Sequence, residues 1–223
     1  MQIKMLMKII NLLKGIISVL PQGIHRDLYL YKNRLIRKSV IKKWISTGRP
    51  LPPPHQYKQS VVEEISKKFM LNVFVETGTF MGHMIEAQRM NFAELFSIEV
   101  EPTLYKNAVK YFQSYRHIKI VEGDSSFVLN EILSEVHNNS TLFWLDGHYS
   151  GGNTGMGKKQ CPIYEELHAI FNHNISTKCI LIDDARCFNG TEDYPTIEEL
   201  INFVEKNASS LKVNILNDII HIY

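Results

Sequence analysis

The sequence predicts an α/β fold: a Rossmann-like, doubly wound, mostly parallel seven-stranded sheet that ends in an antiparallel hairpin and follows a basic helical arm. Three observations carry this prediction. From residue 71 onward, short β-rich apolar runs alternate with amphipathic stretches five times in succession, and successive βα units specify a parallel sheet with right-handed crossovers. Runs such as Val73-Phe74-Val75 and Ile180-Leu181-Ile182 are apolar without alternation, the pattern of strands covered on both faces. An acid closes or shortly follows each of the five runs: Glu76, Glu99, Asp124, Asp146 and Asp183.

The elements follow in pairs. A strand over 72–76 precedes a helix over 84–90, and strand 95–99 precedes helix 103–112. Strand 118–122 leads to helix 127–136, strand 142–146 to helix 164–171, and strand 179–183 to helix 197–206. The rhythm then breaks. Residues 213–216, a turn at Asn217-Asp218 and residues 219–223 read as a β-hairpin, because Asn and Asp tolerate the left-handed conformation a tight hairpin turn requires. The chain of 223 residues is 44% apolar and 22% charged, ordinary globular usage that excludes a disordered tail or a disulfide-stapled miniprotein. Cys161, Cys179 and Cys187 form no C-x-x-C pair, so no zinc ribbon or redox couple is predicted and reduced thiols in the cytoplasm are expected.

The net charge of +2 conceals a division. Residues 1–60 hold 12 Lys and Arg against the single acid Asp27, while the rest of the chain is acidic on balance. This asymmetry predicts a basic arm over 1–60 and a separate α/β domain over 61–223, joined through the stiff run Arg49-Pro50-Leu51-Pro52-Pro53-Pro54. Within the arm, Lys4, Lys8, Asn11, Gly15 and Ser18 fall at helical spacing among Met, Ile, Leu and Val, giving a helix with a narrow cationic stripe. Lys8 and Lys14 interrupt both a secretory signal and a spanning helix. Two expectations stay open for residues 1–48: packing on the protein's own domain or a partner, and peripheral contact with the inner face of a membrane. The second is favoured by Arg34, Arg37, Lys38, Lys42 and Lys43 beside Trp44, since cations near anionic lipid each gain about 1 kcal/mol. No nucleic-acid recognition motif accompanies the charge, and a homo-oligomer stays open.

The turn after the first strand reads Glu76-Thr77-Gly78-Thr79-Phe80-Met81-Gly82. Its G-x-x-x-G spacing is not the dinucleotide fingerprint, and it lacks the Lys-Ser/Thr ending of a P-loop. Nothing in this turn is built to cradle a pyrophosphate, and a dehydrogenase reading is thereby disfavoured. With Phe96-Ser97-Ile98-Glu99 and Val121-Glu122-Gly123-Asp124-Ser125 in order after it, the sequence resembles the class I S-adenosylmethionine-dependent methyltransferases over residues 71–223. Phe80 stands where many members have a middle glycine. The resemblance implies S-adenosylmethionine as cofactor, held by Glu76, Thr77, Gly78, Thr79 and Gly82, by Glu99 at the ribose, and by Asp124, Ser125 and Asp146. A carboxylate such as Glu99 can accept both hydrogen bonds of a cis-diol.

Asp146 and the pair Asp183-Asp184 place three carboxylates on adjacent loops of one sheet edge, a hard-oxygen set suited to Mg²⁺. The placement is similar to metal-dependent O-methyltransferases acting on catechols and macrolide sugars, in which the metal lowers the pKa of the acceptor hydroxyl. His148, two residues past Asp146, is a candidate catalytic base, as is Asp146 itself where no metal is present. The glycine-rich stretch 149–162 reads as a lid over the acceptor. By resemblance, the loop around Asp146-Gly147-His148 looks like those of bacterial polysaccharide and sugar-modifying methyltransferases, which implies a glycan or other small hydroxylated acceptor. Two alternatives remain open: a metal-dependent oxygenase on a sheet of this type, and a non-catalytic scaffold whose basic arm does the binding.

Overall fold

The computed structural model describes residues 22–147 and 159–223. Helix α1 (Gln22–Ser46) is followed by α2 (His55–Phe69), and then by β1 (Val73–Thr77), α3 (His83–Gln88), β2 (Glu94–Glu99) and α4 (Pro102–Phe112). The chain continues through β3 (Ile118–Glu122), α5 (Ser125–Glu135), β4 (Ser140–Leu145), α6 (Ile163–Asn172) and β5 (Thr177–Ile182). A 3₁₀ turn (Ala185–Cys187), α7 (Ile197–Asn207), β6 (Val213–Leu216) and β7 (Ile219–Ile222) complete it. The strands form one sheet in the order β3-β2-β1-β4-β5-β7-β6. Its first five strands pair in parallel, and β7 pairs antiparallel with both β5 and β6.

The unalternated strand runs are explained by two separate cores. Val73 and Val75 pack on one face with Leu129 and Leu133 of α5, Leu167 and Ile170 of α6, and Leu200 and Val204 of α7. Phe74, between them in sequence, packs on the other face with Val62 and Ile65 of α2, Ile85 of α3 and Phe112 of α4. Successive strand residues point to opposite faces, so both parities must be apolar when helices cover both. The closing hairpin turns at Asn217 and Asp218, with φ of 49° and 69°, the paired positive values that match the twist of a hairpin.

The basic segment is tied to the domain. Val61, Val62 and Ile65 of α2 enter the core, so the expected boundary at residue 60 falls inside this helix. Arg37 of α1 pairs with Glu63 of α2 at 2.6 Å. Trp44 is buried, packs against Tyr57 in a tilted arrangement with ring centroids 4.5 Å apart, and donates its indole N–H to the Pro50 carbonyl at 2.9 Å. The proline run is thereby folded back on α1, and Trp44 is packed inside the protein instead of facing an outer surface. The cationic helix expected over 1–20 lies outside the described residues. Among the described residues no helix is long and apolar enough to cross a membrane.

Candidate active site

The parallel strands all present their carboxyl ends at one edge, where open α/β sheets bind ligands. The register sets Glu76 beside Ser97, Glu99 beside Glu122 and Thr77 beside Leu145. The edge therefore gathers the acids that the sequence scatters over more than a hundred positions.

The turn after β1 is fixed from both neighbours. Gly78 and Thr79 donate their amides to the Ile98 carbonyl of β2 at 3.0 and 3.1 Å. On the other side, the Asp146 amide donates to the Thr77 carbonyl at 3.1 Å. Gly78 has φ of +84°, and a Cβ there would fall 2.5 Å from the Asp146 carbonyl oxygen, so glycine alone allows this approach. Gly82 likewise has φ of +70° and opens α3. Thr77 and Thr79 are buried, and the Thr79 and Ser97 hydroxyls lie 2.6 Å apart. Their side chains act by holding the turn in shape.

Each acid of the β1–β3 side has local partners. Glu76 is buried and accepts from the Ser97 hydroxyl at 2.6 Å. Burial pushes its carboxyl well above the usual range; Ser97 opposes this shift, and the charges of Asp146 and Glu99 add to it. Glu99 accepts from the Phe80 amide at 2.7 Å and from the Glu101 amide at 2.9 Å, one on each oxygen. Phe80, where a middle glycine was noted as missing, supplies this contact with φ of 47°. Asp124 caps α5, accepting from the Ser126 amide at 2.9 Å and its hydroxyl at 2.6 Å, and Ser125 is buried at the first turn.

The β4–β5 side is different. Asp183 is buried, and one of its oxygens lies 2.5 Å from the Lys58 ammonium. The same nitrogen lies 3.1 Å from Asp184, which also pairs with Arg186 at 2.8 Å. Arg186 in turn pairs with the buried Asp218, which also accepts the Arg186 amide at 2.8 Å. Burial pushes Asp183 upward, with Asp146 and Asp184 adding and Lys58 opposing. Burial lowers the Lys58 pKa, but attraction to Asp183, Asp184 and Asp146 outweighs it, so the ammonium is held charged.

This arrangement bears on the expected metal site. Asp146, Asp183 and Asp184 do lie on one edge, but among the described residues no three His, Cys, Asp or Glu side chains come together as a metal-binding group. A lysine stands against two of the three carboxylates instead. The set as arranged does not fit a divalent cation, because an ammonium already stands against one oxygen of Asp183 and one of Asp184. The other catalytic candidate, His148, and most of the expected lid lie outside the described residues.

Sequence reasoning missed Lys58, Ser97, Arg186 and Asp218. Lys58 gave no signal as a site residue, since it stands in the stretch counted as the basic arm. Ser97 was quoted inside the second motif, yet nothing local shows that its hydroxyl bridges Glu76 and Thr79.

Comparison with solved structures places the fold. The chain is similar to an O-methyltransferase from Bacillus cereus in complex with SAH, at 12% identity and TM-score 0.54, covering 83% of this chain and 88% of that one. It is similar to TomG from Streptomyces achromogenes, an O-methyltransferase of tomaymycin synthesis in complex with SAM, at 12% identity and TM-score 0.53, covering 92% and 98%. A third is the SAH-bound Podospora anserina methyltransferase PaMTH1, at 15% identity and TM-score 0.50, covering 82% and 86%. No family model and no curated protein matches the chain. The architecture is thus a Rossmann-like fold shared with these methyltransferase structures, with a parallel core and a closing antiparallel hairpin.

Proposed function

We propose that this protein transfers the methyl group of S-adenosylmethionine to an oxygen of a small hydroxylated acceptor, of the sugar or glycan class. The observation that carries the reading is the β1 turn, where Gly78 is pressed against the Asp146 carbonyl while Glu99 stands one strand away with both oxygens facing backbone amides. This is a backbone surface a ligand can approach closely, beside a carboxylate able to accept from a diol. Resemblance in fold to structures crystallised with SAM or SAH adds support.

The cofactor supplies an electrophilic methyl on a sulfonium. The chain's own residues bind and orient. The Gly78–Gly82 turn receives the amino-acid end, Glu99 accepts from the ribose hydroxyls, and Asp124 with Ser125 borders the base. Asp146, at the end of β4 between the two halves of the edge, is the candidate to accept the proton that the acceptor hydroxyl loses as its oxygen takes the methyl.

Calorimetric titration with S-adenosylmethionine and with S-adenosylhomocysteine, each with Mg²⁺ and with chelator, tests the reading. Micromolar binding of both supports it. No heat and no thermal shift with either overturns it in favour of the scaffold alternative.

A further inference from the structure

The carboxylate edge at β4 and β5 needs a cation, and the chain supplies one from 125 residues upstream. We propose that the Lys58 ammonium is the resident cation of this edge, excluding a divalent metal and donating its remaining N–H to the acceptor oxygen.

Distance is the first argument. Mg²⁺ binds carboxylate oxygens at about 2.0–2.1 Å and demands near-octahedral room. Lys58 Nζ already lies 2.5 Å from one Asp183 oxygen and 3.1 Å from an Asp184 oxygen. A metal bound to those same oxygens would sit against the ammonium, two cations in one place. Two further contacts load the same pair of carboxylates. The second Asp183 oxygen accepts the Asp184 amide at 2.8 Å, and the Asp184 oxygen facing Lys58 is shared with Arg186 at 2.8 Å.

Anchoring is the second argument, because a surface lysine could swing aside for a metal. Lys58 is restrained by its surroundings. Its side chain is 12% exposed, and the helix turn that carries it is pinned on both sides. Gln59, buried, donates to the His83 carbonyl at 3.2 Å, and its own carbonyl accepts from Gln88 at 2.9 Å. Tyr57 accepts from Asn217 of the hairpin turn at 2.6 Å. Helix α2 is thus clamped to α3 on one side and to the β6–β7 turn on the other, with Lys58 between them.

An ammonium carries three donors; two go to Asp183 and Asp184. The third suits a neutral hydroxyl oxygen or the oxyanion formed from it. A consequence follows for the organisation of the chain: the segment before residue 60, expected as a separate arm, contributes a binding residue to the edge. The role toward an acceptor rests on the methyl-transfer reading; the exclusion of metal does not.

The test uses Mn²⁺ as probe, with free Mn²⁺ read by electron paramagnetic resonance against the full-length wild type, Lys58→Met and Lys58→Arg. The expected result is no micromolar site in the wild type or in Lys58→Arg, and binding at least about tenfold tighter in Lys58→Met, where the carboxylates lose their cation. Micromolar Mn²⁺ binding by the wild type overturns the proposal, as does a folded Lys58→Met no tighter than wild type. Should Lys58→Met fail to fold by circular dichroism, the wild type and Lys58→Arg still decide the matter. Failure to bind S-adenosylhomocysteine in the calorimetric test would sink the transfer reading and leave the Mn²⁺ result standing.

Discussion

The two halves of the carboxyl edge settle their acids by different means. On the β1–β2–β3 side, Glu99 and Asp124 are held by backbone amides and hydroxyls within about one helical turn or one neighbouring strand. On the β4–β5 side, Asp183 and Asp184 are held by side-chain cations, one of them 125 positions away. Glu99, held by amides, is a carboxylate that can also accept from a ligand hydroxyl. Cation-held acids have their charge largely neutralised and pass the recognition role to the cation. On the proposed reading, one half takes the polyhydroxylated cofactor and the other the acceptor oxygen.

The seam between the halves gives the largest expected effect. Gly78→Ala places a Cβ 2.5 Å from the Asp146 carbonyl and must hold φ of +84°. The expected loss is about 3 kcal/mol, from left-handed strain and overpacking together, read as a lowered urea midpoint. A variant as stable as wild type would show that the two halves are not pressed together as described.

Next comes the amide-held half. Glu99→Ala removes the acceptor of two backbone amides and the proposed ribose contact. Charge-assisted hydrogen bonds are worth about 1.5–3 kcal/mol each, so S-adenosylhomocysteine binding should weaken at least about tenfold in calorimetry. An unchanged Kd would move cofactor recognition away from this side.

Glu76 sharpens the comparison through pH. Burial raises its folded-state pKa above the unfolded value of 4.5, so the folded state binds the proton more tightly. Its contribution to stability is full below pH 4.5 and is lost as pH rises through the folded pKa. Glu76→Gln mimics the protonated acid, and its stability relative to wild type should rise with pH across that window in urea titrations. A difference independent of pH would mean that Glu76 is ionised without cost.

The smallest effect belongs to a partly exposed ion pair. Arg37 and Glu63 join α1 to α2 at 2.6 Å with solvent close by. A double-mutant cycle to Ala should give a coupling below about 1 kcal/mol, well short of the effect expected at the seam. A larger coupling would make the junction between arm and domain a major determinant of stability.

Much of this molecule is legible in its sequence because much of it is local. Apolar runs such as Val73-Phe74-Val75 need two covering layers, and the βα rhythm dictates right-handed parallel crossovers. The Asn217-Asp218 pair specifies the hairpin turn, and the glycine at 78 announces a tight turn at the first strand end. The acid at or just past every parallel strand end is read directly from the residues there. What those acids bind is not. Three carboxylates at one edge are equally compatible with a metal, a lysine or a row of amides, and the choice depends on which helix packs across the edge. Only the tertiary structure brings α2 there, seats Lys58 between Asp183 and Asp184, and buries Trp44 instead of leaving it on a basic surface. Periodicity records which face of an element is apolar; it carries no record of which distant charge will neutralise which, because that is decided by packing across the whole chain.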